Sequence, residues 1–380
     1  MWCKTSSILI SFFVIGASGG FAVAACPSAD LTGDCFVDFN DFALIAIDWP
    51  ATDFNDVAVM ANQWLTSGPY VPNDMAYIAG GTFQMGNNLG GGWPDELPVH
   101  TVTVGSFCMG KYMVTNRQYC DYLNSAMSEG LITVTSGAVY KAGSETSYPY
   151  CDTSTSSSYS QIDYSGGVFR VRTKSGRDMS NDPMVEVRWY GGVAHCNWRS
   201  EQEGKEQCYN PSTWDCDFSK KGYRLATEAE WEYAARGGLA GTRFPSGDTI
   251  SHSQANYYSY WSGGHPFDSY DVSLTQGYHP TWNDGVYPYT SPAGSFAANS
   301  YGLYDMAGNV WQWCNDWYSY SYYSSSPTDN PTGPISGSYR VLRGGCWNYS
   351  AWCSRVVYRG GGGPYNRGEY YVGFRVVLPN

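Results

Sequence analysis

The first stretch of this chain that could do chemistry is Asp30-Leu31-Thr32-Gly33-Asp34-Cys35-Phe36-Val37-Asp38-Phe39-Asn40-Asp41. Side-chain oxygens of Asp30, Thr32, Asp34, Asp38 and Asp41 fall at positions 1, 3, 5, 9 and 12, with the Phe36 carbonyl at position 7. That spacing wraps a hard cation in oxygens, as calcium requires. The alternative is an Asp-rich turn that only caps the helix behind it. Position 6, which calls for glycine, holds Cys35. A second acidic group, Thr227-Glu228-Ala229-Glu230-Trp231-Glu232, reads as a helix start. Thr227 can cap, Glu230 completes a capping box, and the carboxylates favour the positive helix end. That role outweighs a carboxylate pair for acid/base work. His100, His195, His252, His265 and His279 show no zinc-type spacing. No Ser-His-Asp order or phosphate-cradling loop stands out.

The elements that position these residues divide the chain into four parts. Residues 1–25 read as an export signal: Lys4, an apolar stretch from Ile8 to Val14, and Ala22-Val23-Ala24 as cleavage site. The apolar stretch is too short to span a bilayer. The expected location is therefore secreted, periplasmic or cell-surface. Val23-Ala24-Ala25-Cys26 offers the alternative of a lipoprotein anchored at Cys26. Residues 26–66 hold the calcium loop and two similar helical segments, 38–49 and 53–64, with apolar residues at helical spacing. Residues 67–74 are a Gly/Pro linker, and 75–380 form the main domain. With 33 Tyr, 15 Trp and 44 Gly but only 15% charged residues, the 380-residue chain points to a loop-rich α+β domain. The net charge of −12 argues against nucleic acid as a partner. Of 12 cysteines, removal of Cys3 with the signal leaves an odd number, so at least one is free, lipidated or reactive.

Six motifs stand in order through the main domain. They are Gly80-Gly81-Thr82-Phe83-Gln84-Met85-Gly86, Val114-Thr115-Asn116, the run from Arg224 to Gly238, Tyr301 to Trp313, Arg343-Gly344-Gly345-Cys346-Trp347, and Gly373-Phe374-Arg375-Val376. Together they resemble the formylglycine-generating-enzyme, or sulfatase-modifying-factor, family over residues 75 to 378. The resemblance implies a monomeric, C-type-lectin-like α+β fold. It also implies a calcium ion held by side chains of Asp305 and Gln312 and by the carbonyls of Gly308 and Val310. Gln312 stands where the family usually has Glu, which removes a charge. A second calcium site would begin at Asn256 and Tyr257, with Gly285, beside Asp284, at its later carboxylate position. The resemblance further implies two cysteines that bind copper(I) and oxidise a substrate-peptide cysteine to formylglycine with oxygen, the peptide coming from a sulfatase. Thiolates are soft ligands suited to copper(I). Here the pair would be Cys346 and Cys353, but six residues separate them instead of the family's four, and Cys346 takes the place of its serine. On a strand that odd offset would point the thiols to opposite faces, and they could meet at one metal only if the segment is irregular, which Asn348 and Ser350 permit. The alternative is that Cys353 is buried or disulfide-bonded and Cys346 merely replaces serine. Cys196 matches a family disulfide cysteine, whose usual partner position holds Val376, so that bridge is absent. The 30–41 loop resembles half of a dockerin, which would imply a cohesin-like partner.

Residues 346–372 suggest a second use. Asn348, Tyr349, Trp352, Tyr365, Tyr370 and Tyr371 lie among small residues, the composition binding surfaces favour. The segment resembles the variable region of retroelement-diversified proteins of the same fold. The two expectations are thus a peptide-cysteine oxidase and a non-catalytic module that recognises a protein or glycan.

Overall fold

The structure, a computed structural model, describes residues 71–144, 147–364 and 369–380. The chain separates into two units, Met1–Tyr70 and Val71–Asn380. The calcium loop with Asp30, Thr32, Asp34, Phe36, Asp38 and Asp41 lies outside the described residues, as do Cys26 and Tyr365.

Val71–Asn380 is a mixed, loop-rich unit built on two four-stranded sheets. The first contains β1 (Met75–Ile78), β2 (Phe107–Gly110) and β3 (Arg224–Leu225). The second contains β4 (Trp311–Trp317), β5 (Arg340–Arg343), β6 (Gly360–Gly362) and β7 (Val372–Phe374), and β8 (Val376–Pro379) returns to the first. Strand orders are β1-β2-β8-β3 and β6-β5-β4-β7. All pairings are antiparallel except β4 with β7, where Trp311 stands opposite Val372. The β7–β8 break at Arg375 carries the chain end from one sheet to the other, so the Gly-Phe-Arg motif joins them.

Among the described residues three α-helices pack on these sheets: α1 (Asn116–Ser128), α2 (Trp189–Gln202) and α3 (Glu228–Arg236). The α1 start is fixed by a capping box between Thr115 and Gln118, and that of α3 by one between Thr227 and Glu230. Gly237 ends α3 in the left-handed conformation, φ 55°, which glycine adopts without a Cβ penalty. The α3 carboxylates all meet arginine: Glu228 pairs with Arg359, Glu230 with Arg224, and Glu232 with Arg236 and Arg343. Those buried pairs confirm the structural reading of this acidic run. A guanidinium fork matches a carboxylate in two parallel hydrogen bonds, which lets so aromatic a core hold charge.

β4 is buried on both faces, so it reads as a continuous apolar and polar-bonded run instead of an alternating one. Around it, one apolar cluster joins α1, α2 and the β4–β7 sheet, and a second joins β1, β2, α3 and β8. Among the described residues no helix is long and apolar enough to cross a membrane.

Candidate functional site

The β6-β5-β4-β7 sheet positions the site. Register sets Trp313 opposite Leu342 and Leu342 opposite Gly360, so by strand alternation Trp311, Trp313, Leu342, Gly360 and Gly362 share a face. That face floors a cleft of about 280 Å³ with Tyr339, Tyr349, Tyr358, Tyr371 and Glu369 around it. Tyr339 and Tyr349 are the exposed aromatics at its mouth, at 52% and 41%. Among the described residues, Glu369 is the one carboxylate in the lining.

Glycines 360 to 362 are what let the rings lie on the strand. A Cβ at Gly362 would stand 2.5 Å from Trp313 Cη2, and one at Gly361 would stand 3.3 Å from Tyr318. The Trp313 indole is fixed from behind, since its N–H donates to the Val187 carbonyl at 3.0 Å.

Cys346 and Cys353 lie beneath this cleft. Gly344 and Gly345, at φ 95° and 73°, turn the chain off β5, and Ala351–Ser354 forms a short 3-10 turn. The segment is therefore irregular, and the strand rule that would set the thiols on opposite faces does not apply. Both thiols belong to one apolar cluster, each against an aromatic of the cleft: Cys346 interacts with the Trp311 side chain and Cys353 with the Tyr358 hydroxyl. Burial pushes the Cys346 thiol well above its ordinary range, and burial raises that of Cys353 to about 11 against the softening contact of Tyr358. Both are protonated at neutral pH. Cys346 is fully buried and Cys353 7% exposed. Cys196 is a free, buried thiol, and Val376 lies on β8.

The turn before β4 carries Asp305, Gly308 and Val310, and β4 itself carries Gln312. Asp305, at φ 54°, accepts from the Gly294 N–H at 2.7 Å through Oδ2, while its buried Oδ1 has no partner. Burial raises its carboxyl to about 6 against the Gly294 hydrogen bond and Arg375. Gly308 is required here: at φ 76°, its Cβ would fall 2.4 Å from the Asn256 carbonyl. The Gln312 Oε1 accepts from Trp231 Nε1 at 2.9 Å and from Arg375 Nε at 3.0 Å, and its Nε2 donates to the Asp305 carbonyl. That oxygen faces a guanidinium. The turn thus offers a cation one unpartnered carboxylate oxygen, and Gln312 as placed adds none. At the second position, Asp284 pairs with Lys174 at 3.2 Å. Among the described residues, no group of three or more His, Cys, Asp or Glu side chains could hold a metal ion.

Of the expected binding residues, Tyr349 and Tyr371 line the cleft. Asn348 and Tyr370 belong to a neighbouring tyrosine cluster: Tyr278 donates to Asn348 at 3.2 Å, and Tyr370 packs 5.7 Å from Trp347 and 5.8 Å from Tyr287. Trp352 lies against Arg355, whose guanidinium stacks on it at 4.1 Å and forks to Glu96. Sequence reasoning missed Trp311, Trp313, Tyr339 and Tyr358. The Trp-x-Trp spacing at 311 and 313 was the available signal, because alternate residues of a strand share a face.

A model of the "Sulfatase-modifying factor enzyme 1-like domain" matches residues 66–379. The chain belongs to that family. The formylglycine-generating enzyme of Streptomyces coelicolor is 33% identical over 299 residues, 76% of this chain and 83% of that one. The serine/threonine-protein kinase Pkn1 of Chlamydia trachomatis is 34% identical over 281 residues, 72% of this chain but only 33% of the kinase. This family member therefore spans about a third of the length of that relative. Among solved structures, Treponema denticola variable protein 1 matches with TM-score 0.53 and 25% identity, over 80% of this chain and 95% of that one. PvdO from Pseudomonas aeruginosa matches with TM-score 0.52 and 26% identity, over 81% and 96%. The family and its loop-rich mixed fold are thus as the motifs implied.

Proposed function

We propose that this member of the sulfatase-modifying-factor family is a recognition module that holds a polypeptide in the cleft over Trp311, Trp313 and Leu342. One observation carries the reading: an open, aromatic cleft lies above a thiol pair that is buried and protonated. Rigid rings at the mouth supply contact area at small entropic cost. A protein ligand is favoured over a glycan because relatives are named for generating formylglycine, which is an amino-acid residue. The export signal would set the module outside the cytoplasm, and the 30–41 loop, with its calcium, would tether it to a cohesin-like partner.

The test is selection of displayed random heptapeptides on the full chain. Peptides whose binding is lost in Tyr349→Ala and kept in Cys346→Ser support the cleft. Ligands indifferent to Tyr349→Ala would refute it.

A second reading is the copper-dependent oxidase. What favours it is that each thiol touches a different aromatic of the cleft. Copper(I) would need both sulfurs deprotonated, and bound there it would supply oxygen chemistry. Cys346→Ser and Cys353→Ser would each then abolish copper(I) binding.

A further inference from the structure

β6 is the outermost strand of its sheet, and it consists of Gly360, Gly361 and Gly362, followed by Gly363 and Pro364. Its two faces are already covered. Gly360 and Gly362 lie against Trp311, Trp313 and Leu342, and Gly361 lies against Tyr318 and Tyr339. Its one partner strand is β5, through Arg340, Val341 and Leu342. Among the described residues no other backbone hydrogen bond involves Gly360 to Gly363, and Gly361 is exposed.

What this strand offers a ligand is therefore its outer main-chain edge. Unpaired edge N–H and C=O groups are a template for another strand, and proteins usually blunt them with charge, proline or a bulge. None of these interrupts residues 360–363; Pro364 only ends the run. The absence of side chains lets a second backbone approach as closely as strand pairing needs.

We propose that the cleft's ligand is an extended peptide that adds as a fifth strand along the outer edge of β6, which no other strand pairs among the described residues. The proposal rests on the cleft reading above and specifies the ligand's conformation. Main-chain bonds to β6 hold the peptide. Its alternate side chains point toward the cleft, and those between pass over Tyr318 on the other face. Among the cleft-facing side chains is a Lys or Arg, because Glu369 is the only charged side chain in the lining among the described residues and the protein carries a net −12.

The experiment takes the Tyr349-dependent heptapeptides selected on the full chain and methylates each backbone nitrogen in turn. The expected result is alternation: methylation at every second residue lowers affinity tenfold or more, and methylation between them changes it less than twofold. Amide exchange at Gly360 to Gly363 slows on binding, and Glu369→Gln weakens binding severalfold. Peptides that bind the cleft with no alternation and no protection of residues 360–363 overturn the strand pairing and leave the cleft reading standing. Finding no Tyr349-dependent peptide overturns both.

Discussion

Replacing Gly362 with alanine tests whether the cleft floor is packed as tightly as the structure shows. The added Cβ would stand 2.5 Å from Trp313 Cη2, 2.8 Å from Cζ3 and 3.0 Å from Leu342 Cδ1. Trp313 cannot swing aside freely, because its N–H is held on the Val187 carbonyl at 3.0 Å and the ring is 5% exposed. Forcing a methyl into such a contact costs about 1–3 kcal/mol. Alanine regains about 0.5–1 kcal/mol over glycine within a strand. The net expectation is a loss centred on about 1 kcal/mol and reaching about 2.5 kcal/mol. Gly361→Ala is the control. Its nearest atoms are 3.3 and 3.4 Å away, on Tyr318 and Tyr339, so a shift of a few tenths of an ångström makes room. The backbone gain should then leave it within about 0.5 kcal/mol of wild type. Neither glycine has a left-handed φ, so backbone strain does not confuse the pair. Denaturant unfolding followed by tryptophan fluorescence measures both, with peptide affinity as the second readout. Gly362→Ala as stable as Gly361→Ala would refute the packing argument.

Further outcomes follow from the same structure. Glu186 is buried at φ 58° with its carboxyl raised to about 7, chiefly by burial and against the hydrogen bond from Ser157. A folded-state value above the unfolded one means the native state holds the proton. Its contribution is therefore most favourable below the unfolded carboxylate range and declines as pH rises to about 7. Glu186→Gln should flatten that decline and add about 1–3 kcal/mol at pH 8, read from urea unfolding across pH. The Arg355–Glu96 fork is almost wholly buried, at 2.7 and 3.0 Å, so Glu96→Ala should cost about 3–5 kcal/mol in the same assay. Cys346→Ser buries a hydroxyl in an apolar cluster and should cost about 1–3 kcal/mol, leaving peptide affinity unchanged. With the Gln312 oxygen on Arg375, Asp305→Asn should leave any calcium-induced rise in melting temperature unaltered. Loss of that rise would instead place calcium at the 305–312 turn.

Local patterns were legible in the sequence because neighbouring residues decide them. The Thr227 capping box depends on Thr227 and Glu230 alone, and both of its hydrogen bonds form. The cleft was not legible in the same way. Its floor joins Trp311 of β4, Leu342 of β5 and Gly360 of β6, and only strand register brings them together. The thiol offset rule applies only to a strand, and the sequence left an irregular segment open; past Arg343, Gly344 and Gly345 take left-handed backbone and end the strand. Likewise, the sequence around Gln312 gives no sign of the partners the fold brings to its oxygen, Trp231 and Arg375.

The most direct measurement incubates the full chain in air with copper(I) and a selected cleft peptide that contains a cysteine, then weighs the peptide by mass spectrometry. The result expected of a recognition module is a bound peptide whose cysteine is unchanged. Conversion of that cysteine to an aldehyde, lost in Cys346→Ser, would contradict it and make the buried thiols the working centre of an oxidase.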